Sequence, residues 1–214
     1  MARLKNGPNG GFSGKVGSVV GSSWKGIEYI RGLPRKRRGK AKPAEANNRT
    51  RFGYVQTWLN AFSPFTSIGF MNSSSGMLAN NAAMSWNVKN AVKGEAPDFY
   101  IDYQAVLLSD GILRQADEAV MDLRENVLTV TWKAVYRNKA KRNDDLLFLA
   151  YDPVTAEICF ELAKANRNDE KFSTGLPPVF KGKIIEVYIA FTSRDRKIAS
   201  RSQYLGSVLL PGSS

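Results

Sequence analysis

Asn126-Val127-Leu128-Thr129-Val130-Thr131-Trp132 alternates two sets of side chains, Val127, Thr129 and Thr131 against Leu128, Val130 and Trp132. Side chains of an extended chain point to opposite faces with period two, so this stretch reads as a strand with one buried face. Working outward, Leu146-Leu147-Phe148-Leu149-Ala150-Tyr151 and Glu157-Ile158-Cys159-Phe160-Glu161 read as two more strands, joined by the turn-like Asp152-Pro153-Val154-Thr155-Ala156. Residues 183–193 and 199–209 supply further strands around the polar turn Arg194-Asp195-Arg196, and an extended stretch runs from Asp98 to Leu108. Short strands separated by turns, with no long helix between them, favour an antiparallel sandwich over a parallel α/β sheet. The expected fold is mainly β, α+β overall. Residues 95–214 form an antiparallel immunoglobulin-like β-sandwich of six or seven strands, preceded by a basic hairpin arm and one or two short helices.

Upstream, the periodicity changes. Phe52, Val55, Leu59 and Phe62 recur at spacings of three and four, with Trp58 beside them, which predicts a helix over residues 44–62 with one apolar face. Ser63-Pro64 ends it, and a second helix runs from about Met77 to Val92 after the loop Asn72-Ser73-Ser74-Ser75-Gly76. Residues 15–21 and 27–31 read as two strands of a hairpin around the turn Ser22-Ser23-Trp24-Lys25-Gly26. Three segments result: an arm and linker at 1–43, a helical segment at 44–94, and the sandwich at 95–214.

The net charge of +12 is unevenly placed. Residues 1–60 hold 13 Lys/Arg against two acids, Glu28 and Glu45. An arm this basic is built to meet a polyanion or the acidic surface of another protein. The chain has no histidine, which removes the commonest general base, the Ser-His and Cys-His nucleophile pairs, and histidine-containing zinc sites. Cys159 is the only cysteine, so an internal disulfide is impossible. It sits in an alternating strand, as a small hydrophobe would. The N-terminus lacks the apolar core of a secretory signal, and no run of about 18 apolar residues exists. The expectation is a chain with no membrane span, located in the cytoplasm or in a virion.

Gly7-Pro8-Asn9-Gly10-Gly11-Phe12-Ser13-Gly14-Lys15 has the glycine-lysine ending of a phosphate loop. Val16 follows the lysine where Ser or Thr is needed, and neither the preceding strand nor the following helix is present. The acidic pairs Asp117-Glu118, Asp144-Asp145 and Asp169-Glu170 stand beside Arg or Lys and read as solvated turns rather than as a glycosidase pair. No catalytic residue, cofactor or metal site is expected.

Basic residues interleaved with aromatics are the strongest feature. Val19, Trp24, Lys25, Ile27, Tyr29, Ile30 and Arg31 are the candidate partner-binding residues. Arg35, Lys36, Arg37, Arg38, Lys40, Lys42, Arg49 and Arg51 are the candidate polyanion-binding residues. Lys and Arg neutralise phosphates and aromatic rings stack on bases, so nucleic acid is one reading for residues 24–51. Self-association, with the arm lying across a neighbouring subunit, is the other.

Phe12-Ser13-Gly14-Lys15-Val16-Gly17-Ser18-Val19-Val20, then Trp24-Lys25-Gly26-Ile27, Tyr29-Ile30-Arg31 and Pro34, resembles the opening of an uncharacterised protein family of Bacteroidetes-type bacteria. Val187-Tyr188-Ile189-Ala190-Phe191, with Ser200 and residues 202–206, resembles the ending of the same family. The hairpin is also similar to a wider phage- or prophage-associated group, in which a glycine hairpin ending in Tyr-x-Arg and Pro leads into a helix; Arg49, Phe52 and Trp58 fit that pattern. The likeness to the wider group implies a structural or assembly role, and neither resemblance carries catalytic residues with it; the expectation of a non-enzyme rests on the missing histidine and the strand-borne cysteine.

Overall fold

A computed structural model describes residues 3–4, 11–24, 26–35, 39, 42–72 and 78–212. Lys25, Lys36, Arg37, Arg38 and Lys40 lie outside them. The chain divides into two units, residues 1–42 and 43–214.

The first unit is a meander rather than a single hairpin. Strands β1 (Arg3–Leu4), β2 (Phe12–Val16), β3 (Val19–Trp24) and β4 (Ile27–Gly32) pair antiparallel in sequence order. The stretch 15–21, expected as one strand, is broken because Val16 pairs with Val19 around Gly17-Ser18. Gly17 takes φ +54 at the first turn position, where a type II′ hairpin turn requires glycine. The next turn is correspondingly tighter than expected, since Trp24 pairs directly with Ile27.

Among the described residues of the second unit there are three helices where one or two were expected. They are α1 (Pro43–Asn60), α2 (Ser63–Gly69) and α3 (Ala79–Asn90). α1 ends at Asn60, before Ser63-Pro64 as expected, and Pro64 also lies in the first turn of α2, where its missing N–H has no intrahelical acceptor to lose. The extended stretch 98–108 is a sheet strand only at β6 (Tyr100–Ile101), paired with β5 (Val92–Lys93). The buried side chain of Asn87 holds the rest of it to α3: its Oδ1 accepts from Leu107 N at 3.0 Å and its Nδ2 donates to Leu107 O at 2.8 Å.

Seven strands make the sandwich: β7 (Asp117–Arg124), β8 (Val127–Lys133), β9 (Asp145–Tyr151), β10 (Ile158–Asn166), β11 (Lys171–Gly175), β12 (Ile184–Thr192) and β13 (Gln203–Leu209). One sheet runs β11-β8-β7 and the other β10-β9-β12-β13, all antiparallel. The first, second and fifth strands share one sheet, and the third, sixth and seventh share the other with the fourth at its edge. This is an immunoglobulin-like partition. Leu128, Val130 and Trp132 are buried as their alternation requires.

The larger sheet is covered on both faces, which explains its unbroken apolar strands. Leu146, Phe148 and Ala150 on β9 join the core between the sheets, with Val187 and Ile189 on β12. Leu147, Leu149 and Tyr151 point the other way, into a second core with Phe62 and Phe65 from the helical segment. Each fully buried side chain of this size contributes about 1.5–3 kcal/mol. Gly69 makes the helix contact close: a Cβ there would sit 2.6 Å from Ser109 Cβ.

Candidate functional site

Directly paired residues of an antiparallel ladder share a face. On the N-terminal sheet, Trp24 with Ile27, Ser22 with Tyr29, and Val20 with Arg31 and Lys15 define one face. Val16 with Val19, Gly21 with Ile30, and Ser23 with Glu28 define the other. Large apolar side chains are exposed on both: Trp24, Ile27 (66% exposed) and Tyr29 on the first, Val16 and Ile30 (64%) on the second. Every residue of β4, an edge strand, is exposed. Alternation of apolar and polar residues, the usual device for hiding one face, is absent here. Val19 is half-buried.

The polyanion candidates separate. Arg35, Lys42 and Arg49 are exposed. Arg51 is half-buried, and its Nη2 donates to Val92 O at 2.6 Å, holding α1 to β5. The remaining four fall outside the described residues.

The acidic pairs divide: Asp144 is buried, whereas Asp169 and Glu170 form an exposed turn between β10 and β11, as expected. Asp117 and Glu118 begin β7, and Asp117 takes two hydrogen bonds from Arg114 at 2.7 and 2.5 Å. The Arg114 side chain holds that carboxyl below the usual carboxylate range. Asp144 is buried against Arg167, at 3.1 Å. Asp169 Oδ2 accepts from Asn166 N at 2.7 Å, and Glu170 Oε1 accepts from Ala134 N at 2.7 Å. Arg114 and Asn166 stand three residues from the carboxylates they meet, whereas Arg167 and Ala134 are distant in the chain from Asp144 and Glu170 and leave no local signal. Among the described residues no three Asp, Glu or Cys side chains come together as metal ligands. Burial pushes the Cys159 thiol up, which keeps it protonated. No helix among the described residues is long and apolar enough to cross a membrane.

The family of unknown function DUF6266 matches over residues 11–206. The chain belongs to that family. The match runs from β2 of the N-terminal unit into β13 of the sandwich. No curated protein matches the chain. Among solved structures, the chain is similar to a fibronectin type III domain of human collagen alpha-1(XX), at 12% identity and a TM-score of 0.33, over 46% of this chain and 84% of that one. It is also similar to the FN5 domain of Drosophila Lar, at 16% identity and a TM-score of 0.31, over 48% and 99%. A third likeness is to the chicken interferon gamma receptor alpha chain, at 11% and 0.37, over 56% and 59%. Likeness at that level says nothing of what this chain binds.

Proposed function

We propose that the chain is a non-enzymatic structural or assembly protein of virion-like kind, whose N-terminal sheet docks on a neighbouring copy of the same chain. The supporting observation is the exposure of Ile27, Tyr29 and Ile30 on an edge strand, with large apolar side chains on both faces of the sheet. A small sheet needs a covered apolar face to be stable, and an edge strand offers unpaired backbone groups for a further strand. A second copy is the occupant favoured by charge. Exposed Glu118, Asp122 and Glu125 stand with exposed Val120 on β7 and its turn, where Lys133 pairs with Glu118 and Arg124 with Asp122. Glu125 forms no ion pair among the described residues and is the acid that would meet Lys15 or Arg31 beside Ile27 and Tyr29.

The test is sedimentation and negative-stain imaging of the purified chain across salt. Replacing Trp24 and Ile27 with Ser abolishes assembly, whereas replacing Arg35, Lys36, Arg37 and Arg38 with Ser only weakens it, because apolar burial is insensitive to salt screening.

A second reading is nucleic-acid binding through the same arm. Trp24 and Tyr29 share a face with Lys15 and Arg31, an arrangement of stacking rings among cations suited to a single strand. It stands in place of the first if no assembly forms and the four-residue charge variant loses tight oligonucleotide binding.

A further inference from the structure

A second cationic surface lies in the body of the protein, where the end of α3 meets the chain entering β13. It is an open cleft of about 380 Å³, lined by Trp86, Lys89, Lys93, Gln104, Arg201 and Tyr204 among others, and by no acidic side chain. That volume lies within the roughly 300–1,000 Å³ of small-molecule sites. Among the described residues, Lys89, Lys93 and Arg201 form no ion pair. Arg201 Cζ lies over the Trp86 ring, 4.5 Å from its centroid, and Arg201 is exposed.

The walls are braced. Trp86 Nε1 donates to Ala105 O at 3.3 Å. Asn87 clamps Leu107, as described above. Ser202 Oγ accepts from Leu108 N at 3.0 Å, and Ser202 N donates to Ser109 O at 2.9 Å. The groups that would touch a ligand therefore stand on a framework already fixed, which lowers the ordering cost of binding.

We infer that this cleft binds a phosphate that carries a planar base. Lys89 and Lys93 supply the charge for the phosphate. Arg201, backed by Trp86, supplies a guanidinium on which a base stacks. The Gln104 amide offers both a donor and an acceptor to the base edge. A free mononucleotide and a segment of a nucleic-acid strand share this chemistry.

The experiment uses the full chain with Arg35, Lys36, Arg37 and Arg38 replaced by Ser, so that ligand bound by these basic residues does not add to the signal from the cleft. Uridine monophosphate and inorganic phosphate are titrated against tryptophan fluorescence and by saturation-transfer NMR. A fluorescein-labelled 12-mer of thymidylate is titrated by anisotropy. Uridine monophosphate is expected to saturate the site and to bind about tenfold more tightly than phosphate, the increment one stacked base contributes. Lys89→Ser with Lys93→Ser weakens both ligands about tenfold. Arg201→Lys keeps phosphate binding and removes the advantage of the nucleotide. Tighter binding of the 12-mer than of the nucleotide identifies a strand as the source; equal or weaker binding identifies a free nucleotide. The inference is overturned if the nucleotide does not saturate, if phosphate binds equally well, or if the folded variants, with unchanged melting, bind as the parent does.

Discussion

Arg167 and Asp144 meet out of reach of solvent: Nε donates to Oδ2 at 3.1 Å, with the two side chains 0% and 1% exposed. The guanidinium also donates to the backbone oxygens of Arg114 and Gln115 and lies over the Phe191 ring at 4.0 Å. Burial pulls the Arg167 pKa down, and the Asp144 carboxylate opposes that pull. Removing one member strands the other charge in the core, which costs about 3–5 kcal/mol, whereas replacing both with apolar groups costs far less. Urea denaturation of Asp144→Ala should show the large loss. The Asp144→Leu, Arg167→Met double variant should recover most of it. A double variant as unstable as the single one would refute the pairing argument.

Asn87 carries a second buried polar load. It satisfies both backbone groups of Leu107, and its Nδ2 also lies 2.9 Å from Ala83 O. Asn87→Ala leaves a buried N–H and C=O without partners, at about 1–3 kcal/mol each. The expected outcome is a lower melting temperature, with faster hydrogen exchange at the Leu107 amide than at amides within β12. Unchanged exchange at Leu107 would show that another group satisfies it.

Asp152 sets an acid limit on stability. Burial alone would raise its carboxyl, but Lys183, Thr155 and the backbone N–H of Val154 outweigh it and hold the group below the usual carboxylate range. A folded pKa below the unfolded value of about 3.9 means that this stabilisation is complete above that value. It is lost as pH falls through the folded pKa. Asp152→Asn should lower stability at neutral pH and flatten the fall below about pH 4. Parallel stability curves for the two proteins would assign the acid limb to other carboxylates.

The period-two reading of residues 126–132 survives in the structure because β8 has one buried face. The runs at 146–151 and 184–191 were legible as strands, but their second covering layer was not, since an apolar run is the same whether helices or another sheet lie on its outer face. β7 escaped notice because Asp117-Glu118 looks like a turn, although Ala119, Met121 and Leu123 turn inward between exposed Glu118, Val120 and Asp122. The concentration of positive charge in residues 1–60 was readable from the sequence alone. The cleft was not: Lys89 lies in the last turn of α3 and Lys93 in β5, and nothing local ties either to Arg201.

The two hydrophobic cores draw their buried side chains from residues 55–210. A chain beginning at Pro43 should therefore melt within about 2 °C of the full protein, the shift that roughly 1 kcal/mol produces at this size. The N-terminal sheet presents the opposite case. With Ile27 and Ile30 exposed on opposite faces of one strand, its backbone hydrogen bonds have little buried surface to shield them from water. Docking on another copy supplies that surface, so amide protection in β3 and β4 should rise with protein concentration while protection in β9 and β12 stays constant. Hydrogen exchange followed by mass spectrometry over a hundredfold range of concentration measures both at once. Protection in β3 and β4 that is high and independent of concentration would mean that the sheet is stable alone, and the assembly reading would then lose its main physical support.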